Sequence, residues 1–170
     1  MDIEKTPIEG VLLLKPKVWK DNRGYFVETW QQSRYEKIGI TVPFVQDNHS
    51  CSYRGTLRGL HFQRKYPQGK LIHVSSGCIF DVVVDIRQDS PTRGQWFGVE
   101  LSEENQWQVW VPPGMAHGFL VISEIAHIHY KCTDFYHPED EGIIRWNDPT
   151  IGIQWPEIGR LILSNKDSQA

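Results

Sequence analysis

Short apolar or alternating runs recur along the chain at residues 11–14, 25–30, 44–46, 56–63, 71–75, 79–86, 96–101, 108–111, 118–122, 128–133 and 143–146. The breaks between them carry Gly, Pro, Asp and Asn. Many short strands punctuated by turn residues predict an all-β sandwich or barrel. Only residues 31–38 read as helical, with Ser33 as the cap and Gly39 as the stop. Too few helices are predicted to carry crossovers between parallel strands, which excludes a doubly wound nucleotide-binding sheet. There is no Gly-x-Gly-x-x-Gly and no P-loop, so a bound nucleotide has to be held by side chains.

Bulk properties narrow the classes. The 170 residues fit one domain spanning 1–170, large enough to bury a core unaided, and 39% hydrophobic with 12% aromatic content excludes disorder. A net charge of −3 argues against a broad surface for nucleic acid polymers but leaves room for a local basic pocket. Cys51, Cys78 and Cys132 are odd in number and far apart, which predicts free thiols in a reducing compartment. The longest early apolar run is too short for a signal peptide or a membrane span, so a cytoplasmic protein without membrane contact is expected.

Candidate chemistry concentrates between Thr56 and Lys70. His61 can take a proton near neutral pH, Lys70 can hold a developing negative charge, and Arg58 can grip a phosphate with two parallel hydrogen bonds. Together they suggest proton abstraction from a phosphorylated or nucleotide-linked substrate. Residues 58 and 61 are three apart and point to opposite faces of an ideal strand, so a bulge at Gly59 is needed to bring them together. Asp81, which shares one face of an alternating strand with Asp85, is the acid that can pair with Lys70 and keep it protonated.

The stretch Pro112-Pro113-Gly114-Met115-Ala116-His117 resembles a cupin motif. A metal-binding cupin would add His-x-His and a Glu upstream. Here the positions read His61-Phe62-Gln63, and no metal or other cofactor is expected. The runs Arg58–Gln63, Gln68–Leu71, Pro112–Phe119, Tyr130–Thr133 and Trp146–Pro149, occurring in this order, resemble the dTDP-4-dehydrorhamnose 3,5-epimerase family almost end to end.

That resemblance implies a metal-free cupin, a double-stranded β-helix jelly roll, that inverts carbons 3 and 5 of dTDP-4-dehydro-6-deoxy-D-glucose. By matching motifs it implies His61 as the base, Asp167 as the carboxylate that orients it, Lys70 as the enolate stabiliser and Tyr130 as the proton donor. Such chemistry needs these parts, because a proton beside a ketone is only weakly acidic. The implied substrate contacts are Arg23, Phe26, Glu28, Gln46, Asp47, Asn48, Arg58, His117, Tyr136, Glu141 and Lys166, with Tyr136 stacking on the base from across a dimer interface. A homodimer is expected because sandwich edges need covering. His73 stands where the family pattern has Arg. Three other readings remain open at this point: an epimerase acting on carbon 3 or 5 alone, a nucleotide-sugar-binding module without turnover, and a metal-dependent cupin oxygenase.

Overall fold

The computed structural model describes residues 1–169. Its strands are β1 (Asp2–Lys5), β2 (Leu12–Lys15), β3 (Val18–Asp21), β4 (Gly24–Val27), β5 (Gln46–Tyr53), β6 (Leu57–Gln63), β7 (Lys70–Ser76), β8 (Cys78–Asp85), β9 (Trp96–Ser102), β10 (Gln108–Val111), β11 (Met115–Val121), β12 (Ile125–Cys132) and β13 (Glu141–Ile143). Two short helices, α1 (Gln32–Glu36) and α2 (Asn165–Gln169), and a 3-10 turn at Pro138–Asp140 complete it. One sheet has the order β1-β2-β10-β7-β12-β5 and a second β13-β6-β11-β8-β9, while β3 and β4 form a separate hairpin. The strand pairings are antiparallel. No helix among the described residues is long and apolar enough to cross a membrane.

Alternation along the strands decides what each face buries. Ile72, Val74 and Ile128 from the larger sheet meet Val83, Phe119 and Val121 from the smaller one in the central core. Leu71 points the other way and joins Leu14, Tyr35, Ile40 and Trp110 under α1. The outer face of the smaller sheet, including Leu60, Val82, Val84 and Ala116, is covered by Ile144, Ile151, Ile153 and Trp155. Burial on both faces explains why β8 reads as an almost continuous apolar run.

Three strands differ from the sequence pattern for one reason. β1 and β3 are mostly exposed, and β5 carries the polar run Gln46–Tyr53, so none shows the apolar alternation that marks a strand. Only the last residue of the expected 44–46 strand belongs to β5. α1 is capped by Gln31, whose side chain accepts a hydrogen bond of 2.8 Å from the Arg34 amide, and not by Ser33, which lies inside the first turn. Gly39 ends the turn with a φ of +94°, as expected for a stop. α2 was not foreseen, since five polar residues carry no apolar period.

The bulge expected at Gly59 is present. His117 pairs with His61 and Phe119 with Arg58, so β6 spends three steps where β11 spends two. Gly59 sits at φ +116°, and a methyl group there would stand 2.6 Å from the Gly118 Cα and 2.7 Å from the His117 carbonyl oxygen. Only glycine allows the two backbones to approach this closely. Gly59→Ala is expected to destabilise the fold by about 2–4 kcal/mol through overpacking and an unfavourable φ. Denaturant unfolding checks this, and a loss below about 0.5 kcal/mol, within the range of ordinary surface substitutions, would show that the bulge relaxes.

Candidate active site

The polar inner face of β5 and the bulge in β6 together line a chamber between the two sheets. It has two lobes, of about 270 and 110 Å³, and both are bounded by His61, Lys70 and Tyr130. The larger lobe opens between Asn48, Glu141 and Tyr136, and the smaller between Ser50, Arg58 and His117. Arg58 and His61 therefore face one space despite their odd spacing. The bulge is the cause.

His61 is held from the far end of the chain. Its Nε2 lies 2.6 Å from Asp167 Oδ1, and Asp167 is only 4% exposed. The Ser164 hydroxyl donates to the other carboxylate oxygen at 2.8 Å and accepts from the Asp167 amide at 3.1 Å. The approach to α2 is itself fastened: the Leu57 amide donates to the Ile162 carbonyl, and the Ile162 amide to that of Gly55. Asp167 is thus buried against His61 and is not a solvated tail acid. With Nε2 committed as donor to the carboxylate, Nδ1 is the nitrogen left to accept a proton, and it lies 3.9 Å from Glu141 Oε1.

Lys70 opens β7 opposite Cys132. Burial pulls its ammonium below the ordinary lysine range, while Cys132, Asp81 and Glu141 act to hold it up. The Cys132 thiol is itself pushed up, chiefly by burial, and stays neutral at pH 7. The two carboxylates act against the effect of burial on Lys70. Tyr130 is also raised, first by burial, so it remains a phenol able to donate a proton.

His117 gives Nε2 to Asp81 Oδ2 at 2.7 Å. Asp81 therefore accepts from His117 and not from Lys70, on which it acts through its charge. Asp85 lies at the far end of β8 and binds Arg87, Ser90 and Thr92. The cause is register: Asp81 pairs with Phe119, two residues along the same face of β11 from His117. The second oxygen of Asp81 is buried without a hydrogen-bond partner among the described residues.

The remaining expected contacts divide. Gln46, Asn48, Tyr136 and Glu141 line the chamber, and Lys166 reaches its rim through an ion pair with Glu141. Asp47 alternates to the outer face of β5 and pairs with Lys131 at 2.6 Å. Tyr136 lines the chamber of its own chain, where its hydroxyl approaches Glu141 Oε2 at 3.4 Å. Arg23, Phe26 and Glu28 are not brought to the chamber of this chain. Arg23 pairs with Asp21, Glu28 with Arg34, and Phe26 stacks on Trp19 with 67% of its surface exposed.

Gln63 was recognised only as a missing metal ligand. Its amide donates to the carbonyls of Tyr66 and Phe135 and accepts from the His137 amide, pinning the two loops that frame the larger lobe. Burial of a glutamine at a strand end was the signal that the sequence alone does not display.

A jelly roll of two antiparallel sheets enclosing an imidazole, an ammonium and a phenol fits a cupin-type carbohydrate isomerase. The chain belongs to the dTDP-4-dehydrorhamnose 3,5-epimerase family, whose model matches residues 5–170. It is similar to the dTDP-4-dehydrorhamnose 3,5-epimerase of Salmonella typhimurium, at 54% identity over 100% of this chain and 94% of that one. It also resembles the solved dTDP-6-deoxy-D-glucose-3,5-epimerase of Legionella pneumophila in complex with dTDP-4-keto-L-rhamnose. That likeness has 52% identity and a TM-score of 0.97, covering 99% of this chain and 90% of that one. A 3'-monoepimerase from Streptomyces bikiniensis in complex with dTDP-quinovose has the same fold at 33% identity, with a TM-score of 0.92 over 97% of this chain and 84% of that one.

The stability difference between wild type and Lys70→Met is expected to depend on pH and to move in favour of the wild type as pH rises. Because the folded-state pKa of Lys70 is depressed, the unfolded state binds the extra proton between the folded and unfolded values, and wild-type stability climbs through that window. Thermal melting of both proteins from pH 7 to 10 reads the difference, and a pH-independent gap would contradict this account.

Proposed function

We propose that the chain inverts carbons 3 and 5 of dTDP-4-dehydro-6-deoxy-D-glucose, through enolates, to give dTDP-4-dehydro-L-rhamnose. The observation that carries this is the His61–Asp167 contact of 2.6 Å set beside Lys70 and Tyr130 where the two lobes meet. His61 Nδ1 takes the proton next to the keto group while Asp167 steadies the imidazolium that forms. The Lys70 ammonium meets the oxygen on which negative charge develops. Tyr130 returns a proton, and solvent restores the phenol.

Arg58, exposed at the smaller lobe, takes the diphosphate. Lys166 already has its charge matched by Glu141, so it adds less. Tyr136 offers a flat surface to the base. Arg23, Phe26 and Glu28 serve the chamber of a second copy, and the protein acts as a homodimer. Support for this lies in the exposed aromatic side chains of the β3–β4 hairpin, Trp19, Tyr25 and Phe26, which have no apolar cover in a single chain. A reducing, cytoplasmic setting accords with three free cysteines.

The test is incubation with dTDP-4-dehydro-6-deoxyglucose in deuterium oxide, with isotope read at carbons 3 and 5 by NMR and the product trapped by a reductase. Label at both carbons with inverted product is expected. Label at one carbon alone would replace the reading by a mono-epimerase, and binding without label would make the chain a nucleotide-sugar-binding module. His61→Ala is expected to lower turnover by about 10²–10⁴-fold with dTDP binding retained. Tyr130→Phe should spare exchange more than net inversion, and an equal loss of both would remove its separate role as acid.

A further inference from the structure

Outside the chamber, the outer face of the larger sheet carries a row of histidines that the proposed reaction does not use. His129 pairs directly with His49 on one side and His73 on the other. The rings of His49 and His129 lie parallel, 2° apart in plane with centroids 4.3 Å apart, and His73 stacks on His129 at 5.3 Å. His127, two residues before His129 on the same face, brings Nδ1 to 3.0 Å from Nε2 of His49. Cys51 stands on that face too, directly opposite His127 and two residues from His49, with an exposed free thiol.

Two nitrogens bound to one ion at about 2.0–2.1 Å each, at angles between square and tetrahedral, stand roughly 3 Å apart. The His49–His127 separation of 3.0 Å, bridged here by a hydrogen bond, falls in that range. Directly opposed residues on an antiparallel pair have Cβ atoms about 4.5–5.5 Å apart, so a rotation of Cys51 about χ1 can add a sulfur ligand. No three such side chains among the described residues already surround one point. The third ligand has to swing in.

The other histidines are committed elsewhere. His129 gives Nε2 to the Ser75 hydroxyl at 2.9 Å and serves as a flat brace for His49. His61 and His117 each engage a carboxylate through Nε2, and His137 Nδ1 faces Glu139 at 3.4 Å. The charged groups on the row, Lys131 and Asp47, neutralise each other.

We propose that His49 Nε2, His127 Nδ1 and Cys51 Sγ form a Zn²⁺ site that ties the edge strand β5 to β12. For the neutral imidazole pair, the shared N–H proton moves to the other nitrogen of its own ring when the ion enters, so the histidines release none. Cys51 binds as thiolate and releases one proton. Water completes the coordination. The consequence for the protein is mechanical: β5 is a sheet edge, and its opposite face carries Gln46 and Asn48 into the chamber. An ion that binds only the folded state stabilises it by mass action.

The experiment titrates ZnCl₂ into chelator-treated, desalted full-length protein by calorimetry, with thermal melting in parallel. Wild type is expected to bind one equivalent per chain saturably and to melt at a higher temperature with Zn²⁺. His127→Ala should weaken binding at least about tenfold and abolish the melting shift. Cys51→Ser, a conservative change on an exposed position, should weaken it severalfold. With Co²⁺ in place of Zn²⁺, wild type should show a thiolate-to-cobalt charge-transfer band that Cys51→Ser lacks. No saturable Zn²⁺ binding below about 1 mM, binding unchanged in His127→Ala, or an unchanged titration and no thiolate band in Cys51→Ser would each overturn the site. None of these readouts depends on epimerase activity.

Discussion

A strand presents residues three apart to opposite faces, and the chamber exists because β6 breaks that rule at one point. Gly59 adds a residue to β6 against β11, and its backbone comes so close to Gly118 that no side chain fits between them. From there Arg58 and His61 share one cavity, and His61 stands opposite His117. The base, the cation at the smaller lobe and the second histidine are placed by one backbone contact. Everything else in the chamber is arranged around the position it sets.

The second constraint is electrostatic. Burying Lys70 works against its charge, and the protein answers with Asp81 and Glu141 in place of solvent. Asp81 is in turn engaged by His117 on one oxygen and, among the described residues, without a hydrogen-bond partner on the other, while Glu141 is shared with Lys166 and Tyr136. The site thus holds a set of charges that balance only when all are present. In the proposed reaction that arrangement serves to place an ammonium where an enolate oxygen needs one.

Much of this was legible in one dimension. Strand runs with a core face, such as β8 and β10, betray themselves because burial selects apolar residues at fixed spacing. The motif residues His61, Lys70, Tyr130 and Asp167 could be named because their chemical types recur in a known order. β5 escaped for the opposite reason. Its inner face, Gln46, Asn48 and Ser50, lines a wet chamber, so function removed the apolar signal that would have marked it as a strand. The helix cap at Gln31 and the pairing of Asp81 with His117 were misread because both turn on side-chain reach, which spacing does not encode.

By itself, the sequence determined the fold class, the absence of a glycine-rich phosphate loop, and the family to which the chain belongs. These depend on local periodicity and on functional groups, and both are properties of residues in order. The tertiary structure alone decided which of those groups meet. Asp167 lies 106 positions from His61 and touches it because the segment at Ile162 pairs beside Thr56. Phe26 and Arg23 belong to a hairpin that does not line the chamber of its own chain. Contacts of that kind follow from register and packing across the whole chain, and no window of sequence contains them.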